Sequence, residues 1–224
     1  MAVRALLFDF DGLVLDTETP SVVSWQQLYR EHGHELPLDR WATLVGTVGA
    51  HFDPMAHLEA LVGSPLDRTA LLERRRLHEL TLTEAEDLRP GVADYLAAAA
   101  QLGLRKAIVS SSSREWVDEH LRRLERTAGW DAIVTADHDA TRAKPRPTLY
   151  LEALDVLGVE AAEAIAFEDS PNGVRAARAA GVFCVAVPNA VTRSLGLDEA
   201  DLVLASLAAV PLTRVLELAE ATRR

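Results

Sequence analysis

Short apolar runs alternate with segments of helical spacing along most of the chain. The runs that are bounded by turn residues, and that we predict to be strands, cover residues 3–8, 106–110, 132–136, 164–167, 182–187 and 202–205. Strands that alternate with helices form parallel sheets, because right-handed crossover helices cover both faces of the sheet. We therefore predict an α/β fold in which helices flank a parallel sheet.

The segment from residue 17 to residue 88 interrupts this alternation. No convincing strand occurs in it, and its apolar residues, such as Val22, Trp25 and Leu28, recur at helical spacing. An all-helical insertion directly after the first strand would lie above the carboxyl edge of the sheet, where it could act as a lid. We predict a core domain of residues 1–16 and 89–224 and a small all-helical cap domain of residues 17–88.

Composition and charge narrow the class of protein. The 224 residues are 49% hydrophobic, which is ample for a core, and the formal net charge of −11 argues against nucleic acid as a standing partner. The single cysteine, Cys184, excludes an intramolecular disulfide and fits a reducing compartment. No run approaches the roughly 20 apolar residues of a membrane span. We expect a cytoplasmic protein with no membrane partner.

Two carboxylates follow the first predicted strand. Side chains two apart on a strand point the same way, and ligands of parallel sheets bind at the carboxyl ends of the strands, so Asp9 and Asp11 should share one site. The alternative is that Asp11-Gly12 is an ordinary turn. An EF-hand calcium loop fits less well, because it needs glycine at its sixth position and Gly12 comes fourth.

The next two polar groups also lie where predicted strands or loops lead into helices. Ser110 and Ser111 begin a run of four serines that could present hydroxyls and backbone N–H groups to an anion, or could simply cap the helix. Lys144 comes directly before Pro145 and Pro147, which lead into another helix. A lone lysine is usually a solvated surface residue, but beside carboxylates and a phosphate its ammonium would supply positive charge.

A second acidic pair, Glu168 and Asp169, ends the fourth predicted strand. Acidic residues near a helix N-terminus stabilise the helix by about 0.3–1 kcal/mol each. This stabilisation would explain the pair without any ligand. However, four carboxylates at one edge would repel one another unless a cation lay among them. Oxygen ligands without cysteine or histidine favour Mg²⁺ over zinc, and Mg²⁺ commonly binds substrate phosphate as well. The pattern therefore points to phosphoryl transfer.

Taken together, four motifs resemble a known family. DFDGLVLDTE, VSSSS, AKPRP and FEDSPNGVRAARAAG occur in the order and spacing of the haloacid dehalogenase-like phosphohydrolases, over residues 9–181. The helical insertion resembles the cap of the β-phosphoglucomutase and phosphoglycolate phosphatase-like subgroup. The resemblance implies a Rossmann-like core and an enzyme that hydrolyses phosphoric monoesters with Mg²⁺ as cofactor.

The resemblance also implies roles for the reacting carboxylates. Asp9 would be the nucleophile that forms an aspartyl-phosphate, and Asp11 would be the general acid and base. Haloacid dehalogenases proper lack an aspartate two residues after the nucleophile, so Asp11 disfavours dehalogenation.

By the same resemblance, Ser110, Ser111 and Lys144 would bind the phosphoryl oxygens. The metal ligands would be Asp9, Asp11 through its main-chain carbonyl, Asp169, and Glu168 either directly or through water. Glu18, Thr47 and His51 are candidates for substrate contacts from the cap.

The substrate implied is a small phosphorylated metabolite, such as a sugar phosphate. Two alternatives stay open: a sugar-phosphate mutase, and a metal-binding or regulatory domain without turnover. The cap histidine and phosphate-binding arginine of β-phosphoglucomutase have no clear counterparts in residues 19–22 and 45–50, which disfavours the mutase. We expect a monomer, with a homodimer as the alternative.

Overall fold

The computed structural model describes residues 2–41, 44 and 52–222. The described residues form a six-stranded parallel sheet, whose strands are β1 (Ala5–Phe8), β2 (Arg105–Ser110), β3 (Ala132–Thr135), β4 (Ala164–Glu168), β5 (Phe183–Ala186) and β6 (Leu202–Val203). The strand order in the sheet is β3-β2-β1-β4-β5-β6. This confirms the predicted α/β fold with a Rossmann-like parallel sheet.

Both faces of the sheet are buried, which explains why β1 is a continuous apolar run. Leu6 and Phe8 of β1 belong to the hydrophobic cluster on one face, and Ala5 and Leu7 belong to the cluster on the other. The first cluster is completed by α5 (Val92–Gln101), α6 (Arg114–Arg123) and α9 (Leu212–Thr222), and the second by α7 (Thr148–Leu157) and α8 (Pro171–Ala179). Alternation along a strand thus sends neighbouring residues into separate cores.

The described part of the insertion is helical, as the apolar spacing predicts. It contains α1 (Glu18–Glu31), α2 (Leu38–Trp41), α3 (Pro54–Val62) and α4 (Arg68–Glu84). These helices share a hydrophobic cluster of their own, with Trp25, Tyr29 and Leu58 buried in it. A bridge between Leu15 and Leu88 brings the two ends of the insertion together. The division into a core and a cap at these boundaries remains a prediction.

The strand order determines which side chains can meet. β1 lies between β2 and β4, so the residues that follow all three strands emerge at neighbouring points on the carboxyl edge. These are the positions of the two acidic pairs and the serine run. Across the described ranges, no helix combines the length and apolar character needed to cross a membrane.

Candidate active site

The chain turns sharply just after β1, and the turn brings Asp169 close. The Asp9 N–H extends the ladder to the Phe167 carbonyl at 3.0 Å, and Gly12 adopts a left-handed φ of 77°. A Cβ atom at Gly12 would lie only 2.3 Å from Asp169 Oδ2. Asp11-Gly12 is therefore a turn. Because Gly12 has no side chain, it also leaves room for the carboxylate of Asp169, which follows β4.

Lys144 is a buried partner of two carboxylates rather than a solvated surface residue. Its ammonium donates to Asp9 Oδ1 and lies 2.6 Å from Glu168 Oε1, and its side chain is 3% exposed. Burial alone would lower the pKa of Lys144, but the charges of Asp9 and Glu168 outweigh it and the pKa is raised. The Tyr150 hydroxyl also donates to Glu168 Oε1. Lys144 is thus held as a cation beside Asp9.

Asp9, Glu168 and Asp169 form a compact acidic group. All three are buried, and each offers one oxygen within 4.8 Å of the others. Burial raises the pKa of Asp9 against the opposing charge of Lys144, and burial together with Asp9 raises that of Asp169. One ammonium does not balance three carboxylates, so the group lacks positive charge.

The donor set fits a hard divalent cation. Glu168 Oε2 is buried without a hydrogen-bond partner among the described residues, and the group offers carboxylate oxygens with no thiolate or imidazole. Such ligands suit Mg²⁺. The side chain of Asp11 lies outside this group.

Asn189 orients Asp169, a role that our sequence analysis missed. Its Nδ2 donates to Asp169 Oδ2 at 2.7 Å, while its Oδ1 accepts from the backbone N–H groups of Val191 and Thr192 at 2.8 and 2.9 Å. The available signal was its position, because Asn189 follows β5 at the same edge of the sheet. The rule that singled out the acidic pairs applies to it equally.

The Asp11 carboxylate accepts four hydrogen bonds. Oδ1 accepts from Thr17 Oγ1 at 3.1 Å and Trp116 Nε1 at 2.8 Å, and Oδ2 accepts from Ser110 Oγ at 3.1 Å and Ser112 Oγ at 2.6 Å. Trp116 and Ser112 were also missed by the sequence analysis. Nothing local marks an indole N–H as the partner of a carboxylate so distant in sequence.

The serines after β2 divide into two kinds. Ser113 caps α6 by accepting from the Trp116 N–H at 3.3 Å, as the capping alternative predicts. Ser110 Oγ also accepts from the Ser112 N–H at 3.0 Å, and Ser111 Oγ accepts from the Lys144 N–H at 3.2 Å. The loop that carries Lys144 is thereby joined to the end of β2. The phosphate-binding roles of Ser110, Ser111 and Lys144 remain predictions.

A cavity of 350 Å³ opens above these groups. It is lined by Asp9, Asp11, Thr17, Glu18, Ser21, Trp41, Leu44, Glu79, Thr83, Ser110, Ser111, Ser112, Trp116, Lys144, Asp169 and Ser170. Of the three predicted cap contacts, Glu18 lines the cavity. Thr47 and His51 lie outside the described residues. The structure therefore joins the two acidic pairs, the serines, the lysine and one cap residue in one site.

Residues 3–181 match the family model described as haloacid dehalogenase-like hydrolase. The chain belongs to the haloacid dehalogenase-like hydrolases. This confirms the predicted family. Because several relatives are named as phosphatases, it also confirms the predicted enzyme class, a hydrolase of phosphoric monoesters.

Several similar proteins align with this hydrolase over nearly the whole of the chain. YhcW of Bacillus subtilis (strain 168), named as a candidate phosphatase, is 44% identical over 96% of this chain and 97% of its own. Hexitol phosphatase A of Escherichia coli (strain K12) is 30% identical over 96% of both chains. The crystal structure of CbbY from Rhodobacter sphaeroides in complex with phosphate is 28% identical, with a TM-score of 0.70 over 94% of this chain and 98% of that one.

Proposed function

We propose that this hydrolase is a Mg²⁺-dependent phosphatase that releases phosphate from a small phosphorylated metabolite of the sugar-phosphate kind through an aspartyl-phosphate on Asp9. The observation that carries the proposal is the surroundings of Asp9. A buried carboxylate contacts the Lys144 ammonium, belongs to the acidic group with Glu168 and Asp169, and lines the 350 Å³ cavity. Such a site suits an anionic nucleophile that must approach an anionic phosphate.

The similar proteins agree with this substrate class. Hexitol phosphatase A is named for a phosphorylated sugar alcohol, and the CbbY crystal structure holds phosphate. The cavity volume of 350 Å³ lies at the small end of the roughly 300–1,000 Å³ typical of ligand pockets. A small metabolite fits better than a macromolecular substrate.

In the first proposed step, a carboxylate oxygen of Asp9 attacks phosphorus. The new O–P bond forms as the bond from phosphorus to the substrate oxygen breaks, and Asp11 gives that oxygen its proton. Lys144, with Ser110 and Ser111, binds the phosphoryl oxygens. Lys144 suits this role because its ammonium already lies at Asp9.

In the second proposed step, Asp11 takes a proton from a water molecule that attacks the same phosphorus. The O–P bond to Asp9 breaks, inorganic phosphate leaves, and Asp9 is restored as a carboxylate. The hydrogen bonds from Trp116 and Ser112 keep Asp11 at the cavity between the two steps.

Asp9, Glu168 and Asp169 would hold the metal ion. When bound, Mg²⁺ supplies positive charge that neutralises the phosphate and Asp9. Asn189 prepares the site by fixing the orientation of Asp169.

The test is phosphate release from an aryl phosphate and from sugar phosphates, with Mg²⁺ and with a chelator. We expect Mg²⁺-dependent release by the wild type and a loss of at least about 1,000-fold in kcat for Asp9→Asn. After acid quenching with ³²P-labelled substrate, label should remain on the wild-type protein only. Asp155→Asn, on the exposed surface of α7, makes the same chemical change away from the site and is the control.

Two results would contradict the proposal. One is robust inactivity of the wild type across a broad panel of phosphate esters. The other is conversion of a sugar phosphate to its positional isomer without release of phosphate, which would indicate the mutase instead.

A further inference from the structure

Two sets of residues from different parts of the fold line the active-site cavity, and they differ in charge. The sheet edge contributes Asp9 and Lys144, where we place the transferred phosphate. The inserted helices contribute the polar residues Glu18, Ser21, Glu79 and Thr83 and the aromatic ring of Trp41, and α6 adds Trp116. The leaving group of the substrate would contact this second set.

Positive charge is scarce around the leaving group. Among the lining residues that the structure describes, Lys144 is the only lysine or arginine, and its ammonium is engaged by Asp9 and Glu168. Residues 42–43 and 45–51, which are not described, contain neither lysine nor arginine. Among the described lining residues, no second lysine or arginine is therefore available to pair with another anionic group.

The arginine that forms an ion pair with the lining residue Glu79 of α4 is already engaged. Arg75 lies 2.8 Å from Glu79 Oε2, donates to Ser24 Oγ at 3.0 Å and stacks on the Trp25 ring at 5.0 Å. Its side chain is only 14% exposed. Moving it into the cavity would break all three contacts.

Glu18 lines the cavity and has other carboxylates around it. Burial and the charges of Asp11, Asp16 and Glu79 raise its pKa to about 8. Burial and neighbouring carboxylates, which oppose a charge on Glu18, would also oppose a second anionic group on the substrate. Largely protonated at neutral pH, the Glu18 carboxyl can both donate to and accept from a hydroxyl group.

We infer that the leaving group is an uncharged polyhydroxy alcohol, so that the transferred phosphate is the only anionic group of the substrate. Glu18, Ser21 and Thr83 offer hydrogen bonds to its hydroxyls, and Trp41 and Trp116 offer apolar faces to its carbon chain. The inference rests on the proposed phosphatase function and names the substrate class within it.

The test uses pairs of substrates that differ by a single charge. Sorbitol 6-phosphate and 6-phosphogluconate differ only in whether the far carbon is an alcohol or a carboxylate, and glycerol 3-phosphate and 3-phosphoglycerate form a shorter pair. We expect kcat/KM to be at least about 100-fold higher for the alcohol in at least one pair, because an unpaired like charge is strongly disfavoured.

A cation introduced at position 18 tests whether the missing positive charge is the cause. Glu18→Lys should raise the ratio of kcat/KM for carboxylate over alcohol at least about tenfold, because it supplies the missing cation. Glu73→Lys makes the same substitution on the exposed surface of α4 and should leave the ratio unchanged. Thermal melting of both variants establishes that they are folded.

The outcomes separate the two proposals. Equal efficiency for both members of each pair, or a ratio that Glu18→Lys does not move, would overturn the inference. So would hydrolysis of an aryl phosphate with neither alcohol accepted, although the phosphatase function would then stand. If the aryl phosphate also released no phosphate, the proposed function itself would fail and the inference with it.

Discussion

At the scale of single residues, four hydrogen bonds restrain the carboxylate of Asp11. Its four donors come from the turn after β1, the end of β2 and α6. Hydrogen bonds to a charged acceptor contribute roughly 1.5–3 kcal/mol each. The Trp116 indole also rests edge-on against the buried His120 ring, at 4.2 Å between centroids, so its N–H is held in place.

We therefore predict that Trp116 is a positioning residue for Asp11. Trp116→Phe retains an aromatic ring but removes the N–H donor, and we expect kcat for alkyl phosphates to fall about tenfold. The fall should be smaller for p-nitrophenyl phosphate, whose leaving group needs no proton. Trp130→Phe, which removes an indole N–H bonded to the Arg126 carbonyl, is the control. Equal losses on both substrates would show that Trp116 is merely structural.

At the scale of elements, the first turn of α8 and the end of β4 fit together through one glycine. Ser170 caps the helix by accepting from the Gly173 N–H at 3.1 Å, and Pro171 occupies its first turn. A Cβ atom at Gly173 would lie 1.7 Å from Glu168 Oε2. The carboxylate that pairs with Lys144 thus occupies the space that any larger residue would need.

We predict that Gly173→Ala destabilises the fold by about 1–3 kcal/mol through overpacking and lowers activity by displacing Glu168. Urea denaturation and phosphate release measure the two effects. In a Glu168→Ala background the stability cost of Gly173→Ala should largely vanish, since the two positions share one contact. If Gly173→Ala destabilised the fold as much in that background as in the wild type, the loss of stability would come from the helix and not from the contact with Glu168.

At the scale of the whole molecule, the strand ends place an excess of buried negative charge at one edge of the sheet. Burial raises the pKa of both Asp9 and Asp169, so their ionised forms weaken the folded state until a cation is bound. A metal that binds only the folded chain adds stability with concentration, by about 2.7 kcal/mol at 100 times its Kd.

We predict that Mg²⁺ raises the melting temperature of the wild type and that Asp169→Asn abolishes this rise. Without metal at neutral pH, the variant should be at least as stable as the wild type, because one buried charge is gone. Differential scanning calorimetry with Mg²⁺ or with a chelator measures both. A wild-type melting temperature that Mg²⁺ does not change would argue against the metal site.

Much of this arrangement can be predicted from the sequence, because it depends on local pattern and on one general rule. Periodicity separates the strands from the helices, and the carboxyl-edge rule of parallel sheets predicts that Asp9, Ser110 and Asp169 meet. The predicted cap contacts at Thr47 and His51 lie outside the described residues and remain predictions. So do the cytoplasmic location and the monomeric state.

By itself, the sequence determined the α/β fold, the helical character of the insertion and which residue types end the strands, since each depends on a few consecutive positions. Only the tertiary structure decided the partners of those residues. Asn189 donates a hydrogen bond to the carbonyl of Gly12, which lies 177 positions earlier in the sequence. Tyr150 and Lys144 both contact the carboxylate of Glu168. Such contacts depend on side-chain packing between distant elements, and that packing leaves no periodic signal in the chain.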